Sequence, residues 1–308
     1  MYYPILRGRQ NELLAIRELL SADKLEKVVP IIEPVKASST LCSTIKAFSE
    51  KGHPLGIVQN PIVGDFLKDL KSEQGFYSRY AGLLGDFSDL ISVVYPSVDS
   101  RDQLGSLADS KKMLFYIPEK RPLFNDLMAE LNPDYVILPP SDSRMKRRLE
   151  CKTISLDRSF RVQARNADYR SHDEDRITEE NVYFNDDGHC GFADYSVIGE
   201  EFSLGGFMPR VVALHLAYVN KEDQNSIWVH HFTSSQEIRE QDIGRKFMSA
   251  LDSLVEWADF HDVDETLGLE YFRNLKKADK FPGLGYAKKL AIMHHIELVN
   301  NSLLGAGR

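Results

Sequence analysis

A closed barrel of eight parallel strands wrapped by helices, a (β/α)8 TIM-like fold, is the class this sequence predicts. Short runs rich in Val, Ile and Tyr recur along the first half of the 308 residues. They are continuous rather than alternating, as strands covered on both faces are. Amphipathic stretches with recognisable ends separate them, and the count of runs reaches eight. No Gly-rich phosphate loop follows the first run, which counts against an open dinucleotide-binding sheet.

In order, the strand runs cover residues 3–6, 28–35, 55–59, 90–95, 113–117, 135–138 and 153–156. Ser38, Ser39 and Thr40 offer an N-cap for the helix after the second run, and Gly52 offers its stop. Ser100 and Gln103 have capping-box spacing. Pro122 suits a first helical turn, in a helix that closes before Asn132-Pro133. Short connections of this kind imply right-handed crossovers and a parallel sheet.

A polar insertion over 157–190 interrupts the pattern before the eighth run, 192–198, and carries Asp168, Tyr169, Arg170, His172 and Asp175. An insertion after a late barrel strand falls on the catalytic face, where a lid or a disordered loop is expected. Residues 211–219 and 226–232 then read as a hairpin around the polar 220–225. Ser234 with Glu237 has the capping-box spacing to open a long helix carrying Phe247, Leu251, Leu254 and Val255 on one face. A last helix is expected over 286–303. The economical organisation is one domain: seven βα units in 1–156, the insertion in 157–190, the last strand and hairpin in 191–233, and helices in 234–308.

The composition, 43% hydrophobic and 27% charged, is that of a folded chain, and a formal net charge of −8 excludes bulk coating of nucleic acid. The basic clusters, residues 145–148 and Lys288-Lys289, read as solvated helix faces. Cys42, Cys151 and Cys190 lack paired spacing and read as free thiols in a reducing compartment. No run is long enough to span a membrane and nothing resembles a secretory leader, so the cytoplasm is the expected location and no membrane partner is implied.

Charge at the C-terminal end of a barrel strand faces the usual active-site mouth. On that rule the strand ends supply Arg7 and Arg9, Glu33, Asn60, Glu119, Asp157, and Asp194 with Tyr195. Guanidinium forks grip phosphates or carboxylates, and carboxylates serve as acid, base or metal ligand. The candidate catalytic residues are therefore Glu33, Asp194, Tyr195 and His215; the candidate ligand-binding residues are Arg7, Arg9, Asn60, Asp168 and Tyr169. The same residues could equally form structural ion pairs that plug a barrel. Glu12, in a first helical turn, complements the helix dipole, and His215, inside an apolar strand, also fits a core position. His230 and His231 point to opposite faces of a strand, and no HxH, HxxxH or HExxH spacing exists. No cofactor is identified, although Glu33 and Asp194 could share a divalent ion. Arg7-Gly8 followed by Glu12 resembles the opening of glycerophosphodiester phosphodiesterases, whose preceding histidine is replaced by Leu6.

Taken together, several stretches resemble the bacterial and phage "beta protein" family. They run from Tyr2-Tyr3-Pro4 through Arg7-Gly8-Arg9 to Glu12, then Pro30-Ile31-Ile32-Glu33-Pro34-Val35 and Asn60-Pro61. Further along come Arg165-Asn166-Ala167-Asp168-Tyr169, Gly191-Phe192-Ala193-Asp194-Tyr195 and His231-Phe232. Phe281-Pro282-Gly283-Leu284-Gly285 and Met293-His294-His295-Ile296-Glu297 complete the match. The resemblance implies a barrel protein of mobile and defence-associated loci, acting in antiphage defence beside a nuclease-like partner, and makes the insertion a working part. It supplies no mechanism. The alternative expectation is an enzyme, phosphodiesterase- or hydrolase-like, acting on a phosphorylated or nucleotide-like ligand at the barrel mouth. A degenerate barrel kept as a scaffold is the third.

Overall fold

The computed structural model describes residues 1–97, 110–203, 209–239 and 241–305. Its centre is a closed ring of eight parallel strands. The first seven are β1 (Tyr2–Leu6), β2 (Ile31–Ile32), β3 (Leu55–Val58), β4 (Leu90–Val94), β5 (Lys111–Phe115), β6 (Tyr135–Leu138) and β7 (Lys152–Leu156). A strand outside the ring, β8 (Glu174–Thr178), precedes the closing strand β9 (Gly191–Asp194). β9 pairs with β7 through Ile154 and Gly191, and with β1 through Tyr2 and Phe192. Gly191 is required at that seam, because a Cβ there would lie 2.3 Å from the Met1 carbonyl oxygen.

Alternation sends side chains to two dry faces. Tyr3, Ile5, Ile31, Val58, Phe115 and Leu156 fill the barrel interior. Tyr2, Leu6, Ile32 and Phe192 face outward and join the layer under the helices. β2 is only two residues long, where residues 28–35 read as a strand. Pro30 and Pro34 each lack an N–H for the ladder, and Val28 keeps a single bridge to Tyr2.

The outer helices are α1 (Gln10–Ser21), α2 (Ser39–Lys51), α3 (Phe66–Ser72), α4 (Gln74–Gly85), α5 (Arg121–Leu131) and α6 (Ser143–Lys146). Ser38 caps α2 by accepting the Leu41 N–H at 3.2 Å, and Gly52 ends it in the left-handed region. Pro122 lies in the first turn of α5, which stops at the left-handed Asn132. The Ser100–Gln103 capping box lies outside the described residues.

The insertion differs from the expected lid. It forms a 3-10 turn (Asn166–Ser171), β8 and a short helix, α7 (Glu180–Tyr183). β8 becomes the third strand of an antiparallel sheet with β10 (Ala213–Asn220) and β11 (Ser226–Thr233). Its charged residues have partners there: Glu174 meets His230, Asp175 meets His231, and Arg176 meets Glu179 and Asp223. Much of the charge in this segment lies on an exposed strand edge and is used in cross-strand and local pairs.

α8 (Ile243–Phe260) begins nine residues beyond Ser234. Asp242 caps it by accepting the Arg245 N–H at 3.0 Å. Ser234 instead extends the hairpin, donating its N–H to the Val212 carbonyl at 2.8 Å and accepting the Val212 N–H on Oγ at 3.2 Å. α9 (Leu267–Lys277) and α10 (Leu284–Gly305) follow. Nearly all of α10 from Ala287 to Asn300 is buried, because it runs between α1, α9 and β10. Its His294 donates from Nε2 to the Ala217 carbonyl (2.7 Å) and accepts the Thr266 hydroxyl on Nδ1 (2.6 Å), a satisfied core imidazole. No helix among the described residues is long and apolar enough to cross a membrane.

Candidate functional site at the C-terminal rim

Arg7 and Glu33 follow β1 and β2 with the parity of Ile5 and Ile31, so both turn into the barrel. Gly8 makes that approach possible. Its φ is +62°, and a Cβ would press within 3.1 Å of the Glu33 carbonyl oxygen. Arg7 Nη1 donates to Glu33 Oε2, and Nη2 donates to the Glu200 carbonyl. Glu33 also accepts the Ile62 N–H at 2.8 Å and the Tyr95 hydroxyl at 3.3 Å. The Arg7 guanidinium carbon lies 4.9 Å from the centre of the Tyr195 ring. Asn60 exchanges hydrogen bonds with the Tyr95 backbone at 2.8 and 2.9 Å. Burial opposes the Arg7 charge, yet Glu33 and the neighbouring tyrosines raise its pKa overall. The structure thus brings Arg7, Glu33, Asn60 and Tyr195 together in a buried cluster around Tyr95, in which Arg7 Nε keeps no hydrogen-bond partner.

Asp194 does not join them. It has the parity of Phe192 and faces outward, where its Oδ1 accepts the Tyr2 hydroxyl and the Ser196 N–H, each at 2.7 Å. Its Oδ2 is buried without a partner, and burial pushes the carboxyl up to about 7. Glu33 and Asp194 lie on opposite faces of the barrel wall, so they cannot share a divalent ion. Among the described residues no three His, Cys, Asp or Glu side chains are placed to hold a metal. Asp157 caps its own turn through Ser159 (N–H to Oδ1, 2.8 Å), and Glu119 sits exposed on a 3-10 turn. Glu12 is buried and accepts the Arg7 N–H at 2.7 Å, tying the start of α1 to the end of β1. Arg9 leaves the mouth: its Nη2 donates to the Ser203 carbonyl, and its guanidinium lies over the Phe202 ring.

Beside the mouth, outside the barrel, lies a cavity of about 210 Å³. Val162 and Asn166 of the insertion, Val197 and Ile198 after β9, Leu214 and His215 of β10, and Ala287, Lys288 and Ala291 of α10 line it. The walls are apolar apart from Asn166, His215 and Lys288. Lys288 is exposed at the edge of the cavity, unlike its helix neighbours Ala287 and Lys289; the surrounding protein lowers the pKa of its ammonium, Glu12 opposes that and Arg9 adds to it. Lys288 makes no ion pair among the described residues, whereas its neighbour Lys289 pairs with Glu18.

His215 stands directly opposite His231 across the hairpin, with the two Nδ1 atoms 2.7 Å apart. His231 Nε2 lies 3.1 Å from Asp175 Oδ2, and Asp175 Oδ1 lies 2.6 Å from His172 Nε2. Tyr169 packs its ring against both imidazoles, at 4.2 Å from His231 and 4.9 Å from His215, and accepts the Gln163 N–H on its hydroxyl. Burial pushes both imidazoles down to about 3. His231 and Lys288 add to this at His215; His230 and His172 do so at His231. Asp168 is exposed on the 3-10 turn and bonds only within it.

Sequence reasoning missed Tyr95, Asp175, His231 and Lys288. His231 carried a usable signal, because a turn over 220–225 sets a register that places it opposite His215. Lys288 carried none: its role depends on where α10 packs. No family model and no curated protein matches the chain. One solved structure to which it is similar is "a cube-shaped, highly porous protein cage designed by fusing symmetric oligomeric domains", with a TM-score of 0.36 and 13% identity over 63% of this chain. The matched stretch spans 62% of the length of that cage chain.

Proposed function

We propose that this protein binds a small anion with an apolar body in the cavity outside the C-terminal rim, and that this cavity, not the plugged mouth, is its working site. Lys288 carries the proposal: an exposed cation on the cavity lining, with apolar walls around it, no ion pair among the described residues and only the longer-range field of Glu12 to balance its charge. A phosphate or carboxylate would supply a direct contact partner for the ammonium. The volume equals the liquid share of about seven waters, which suits a small phosphorylated or carboxylated molecule. At the mouth Glu33 is spent on Arg7, Tyr95 and the Ile62 N–H, and of the Arg7 guanidinium only Nε lacks a partner, which favours a structural role for the pair.

Native mass spectrometry of the purified protein should find a retained anion, and calorimetry should show it binding. Lys288→Met should weaken that binding roughly ten- to hundredfold, the worth of a charged hydrogen bond. Unchanged anion affinity in Lys288→Met would overturn the assignment.

The stretches resembling the "beta protein" family support a second reading, in which the barrel works in the cytoplasm with a nuclease-like partner in antiphage defence. Co-expression with the product of a neighbouring gene should then give a complex on size exclusion. Separate elution would count against it. Hydrolase chemistry on the bound anion belongs to the first reading, and turnover of the retained molecule is its test.

A further inference from the structure

We propose that Asp175, His231 and His215 form a tautomer lock that presents the bare Nε2 of His215 to the cavity as a hydrogen-bond acceptor, so that the ligand carries a hydroxyl or N–H donor as well as its anionic group. The proposal rests on the ligand reading of this cavity and specifies the ligand further.

The proton positions follow from the chain of contacts. Asp175 is a carboxylate and only accepts, so His231 Nε2, 3.1 Å away, carries a proton and donates it. A neutral His231 then has its lone pair on Nδ1. That atom lies 2.7 Å from His215 Nδ1, which must be the donor. His215 consequently carries its single proton on Nδ1, and Nε2 keeps an unshared lone pair. Since His215 lines the cavity with Nδ1 turned to His231, Nε2 is the nitrogen left for a bound molecule. His172 and the backbone of β8 fix the orientation of Asp175, and the Tyr169 ring screens the pair from water.

Magnitudes decide what this device can do. Both imidazoles titrate near 3, so at neutral pH only about one molecule in ten thousand would hold a proton on either. Such a group is a poor base and an absent acid, but a permanent acceptor. Metal chelation by the pair is also blocked, because the two Nδ1 atoms are spent on each other. A neutral acceptor near a cation selects one ligand chemistry: a donor group held by His215, an anionic group held by Lys288, and an apolar body between them. His231, Asp175 and Tyr169 act through His215 and are positioning residues.

Two measurements on the full chain test this. In protein carrying ¹⁵N-histidine, the His215 resonances, assigned by their loss in His215→Phe, should report the Nδ1–H tautomer at neutral pH. An Nε2–H tautomer or an imidazolium would overturn the lock without reference to any ligand or to the folding of a His231 variant. The second measurement compares glycerol 3-phosphate with propyl phosphate, which lacks the hydroxyls. Wild type should favour glycerol 3-phosphate by about tenfold or more. His231→Phe should remove that preference while retaining affinity for propyl phosphate, and Lys288→Met should weaken both. Equal binding of the two probes to wild type, with loss of both in Lys288→Met, would leave the anion cavity standing and sink the lock. Absence of binding by either probe would remove the cavity assignment on which the lock rests.

Discussion

Replacing Asp194 with Asn should make the protein more stable at alkaline pH and leave it little changed in acid. The Asp194 carboxyl is buried beside Tyr2 and Ser196 and titrates near 7 instead of 3.8. An acid whose pKa is raised on folding holds its proton in the folded state where the unfolded chain has already released it. Stability therefore falls as pH rises from about 4 to about 7, and the full cost persists above that range. Three units correspond to roughly 4 kcal/mol, of which about 2–3 kcal/mol falls between about pH 5 and about pH 8. The histidines act in the opposite direction. His215, His231 and His295 are held neutral down to about 3 and His294 down to about 4, so they withdraw stability as pH drops below the unfolded value of 6.5. The wild-type curve mixes both effects, and the difference between variant and wild type isolates Asp194. Asn keeps an oxygen for the Tyr2 hydroxyl and the Ser196 N–H, so geometry is preserved. Urea midpoints at several pH values, compared at equal slope, give the difference directly. A difference flat in pH, or one that grows toward acid, would refute the placement of this carboxyl as a buried neutral group.

Three further perturbations address the mouth and the frame that holds it. Glu33→Ala strands the Arg7 guanidinium in the barrel and should cost roughly 3–5 kcal/mol in urea unfolding; Arg7→Met with Glu33→Leu should cost less, because no lone charge is left. A Glu33→Ala cost under about 1 kcal/mol, the size expected of a surface pair, would mean the network does not hold the rim. Gly8→Ala forces a side chain into the left-handed region against the Glu33 carbonyl, and a loss of about 1–3 kcal/mol in the same assay is expected. Ser38→Ala removes the cap of α2 and should lower stability by about 1 kcal/mol, visible as a lower thermal midpoint.

The barrel was legible because both of its strand faces are dry. Continuous apolar runs such as 55–59 and 90–95 register that condition directly, and β3 and β4 fall within them. The same property hides the orientation of the polar residues. In a half-buried strand, alternation would have shown which way Asp194 points, but in Gly191–Asp194 every position is buried and parity leaves no trace in hydrophobicity. Glu33 and Asp194 look alike in the sequence, each at the end of an apolar run. Only the closed ring, which puts Ala193 inside and Phe192 outside, separates a mouth carboxylate from one on the outer wall. The insertion misleads for a related reason. A dense run of charge reads as solvated until its partners are known, and those of Glu174 and Asp175 lie more than fifty residues away on β11.

That distance also explains where the working chemistry collects. A (β/α)8 ring whose rim holds Arg7, Glu33 and two tyrosines has little polar capacity left there, since of that set only Arg7 Nε lacks a partner. The insertion and the hairpin are the elements the ring itself does not need, and together they build a second sheet at the rim. Between that sheet and α10 lies a cavity with one neutral acceptor, one unpaired cation and apolar walls. Sequence position marks His215 as a candidate, although it sits in an apolar strand, but not Lys288, whose basic pair reads as a solvated helix face. Their juxtaposition depends on α10 packing against β10, with His294 fixed to the Ala217 carbonyl. A substitution that loosened that seam without touching the cavity, such as Thr266→Val at the far side of His294, should therefore weaken ligand binding along with stability. Lys288→Met should weaken binding with stability nearly unchanged. Calorimetry paired with urea unfolding separates the two patterns, and equal stability loss in both variants would contradict the assignment of Lys288 as a ligand group.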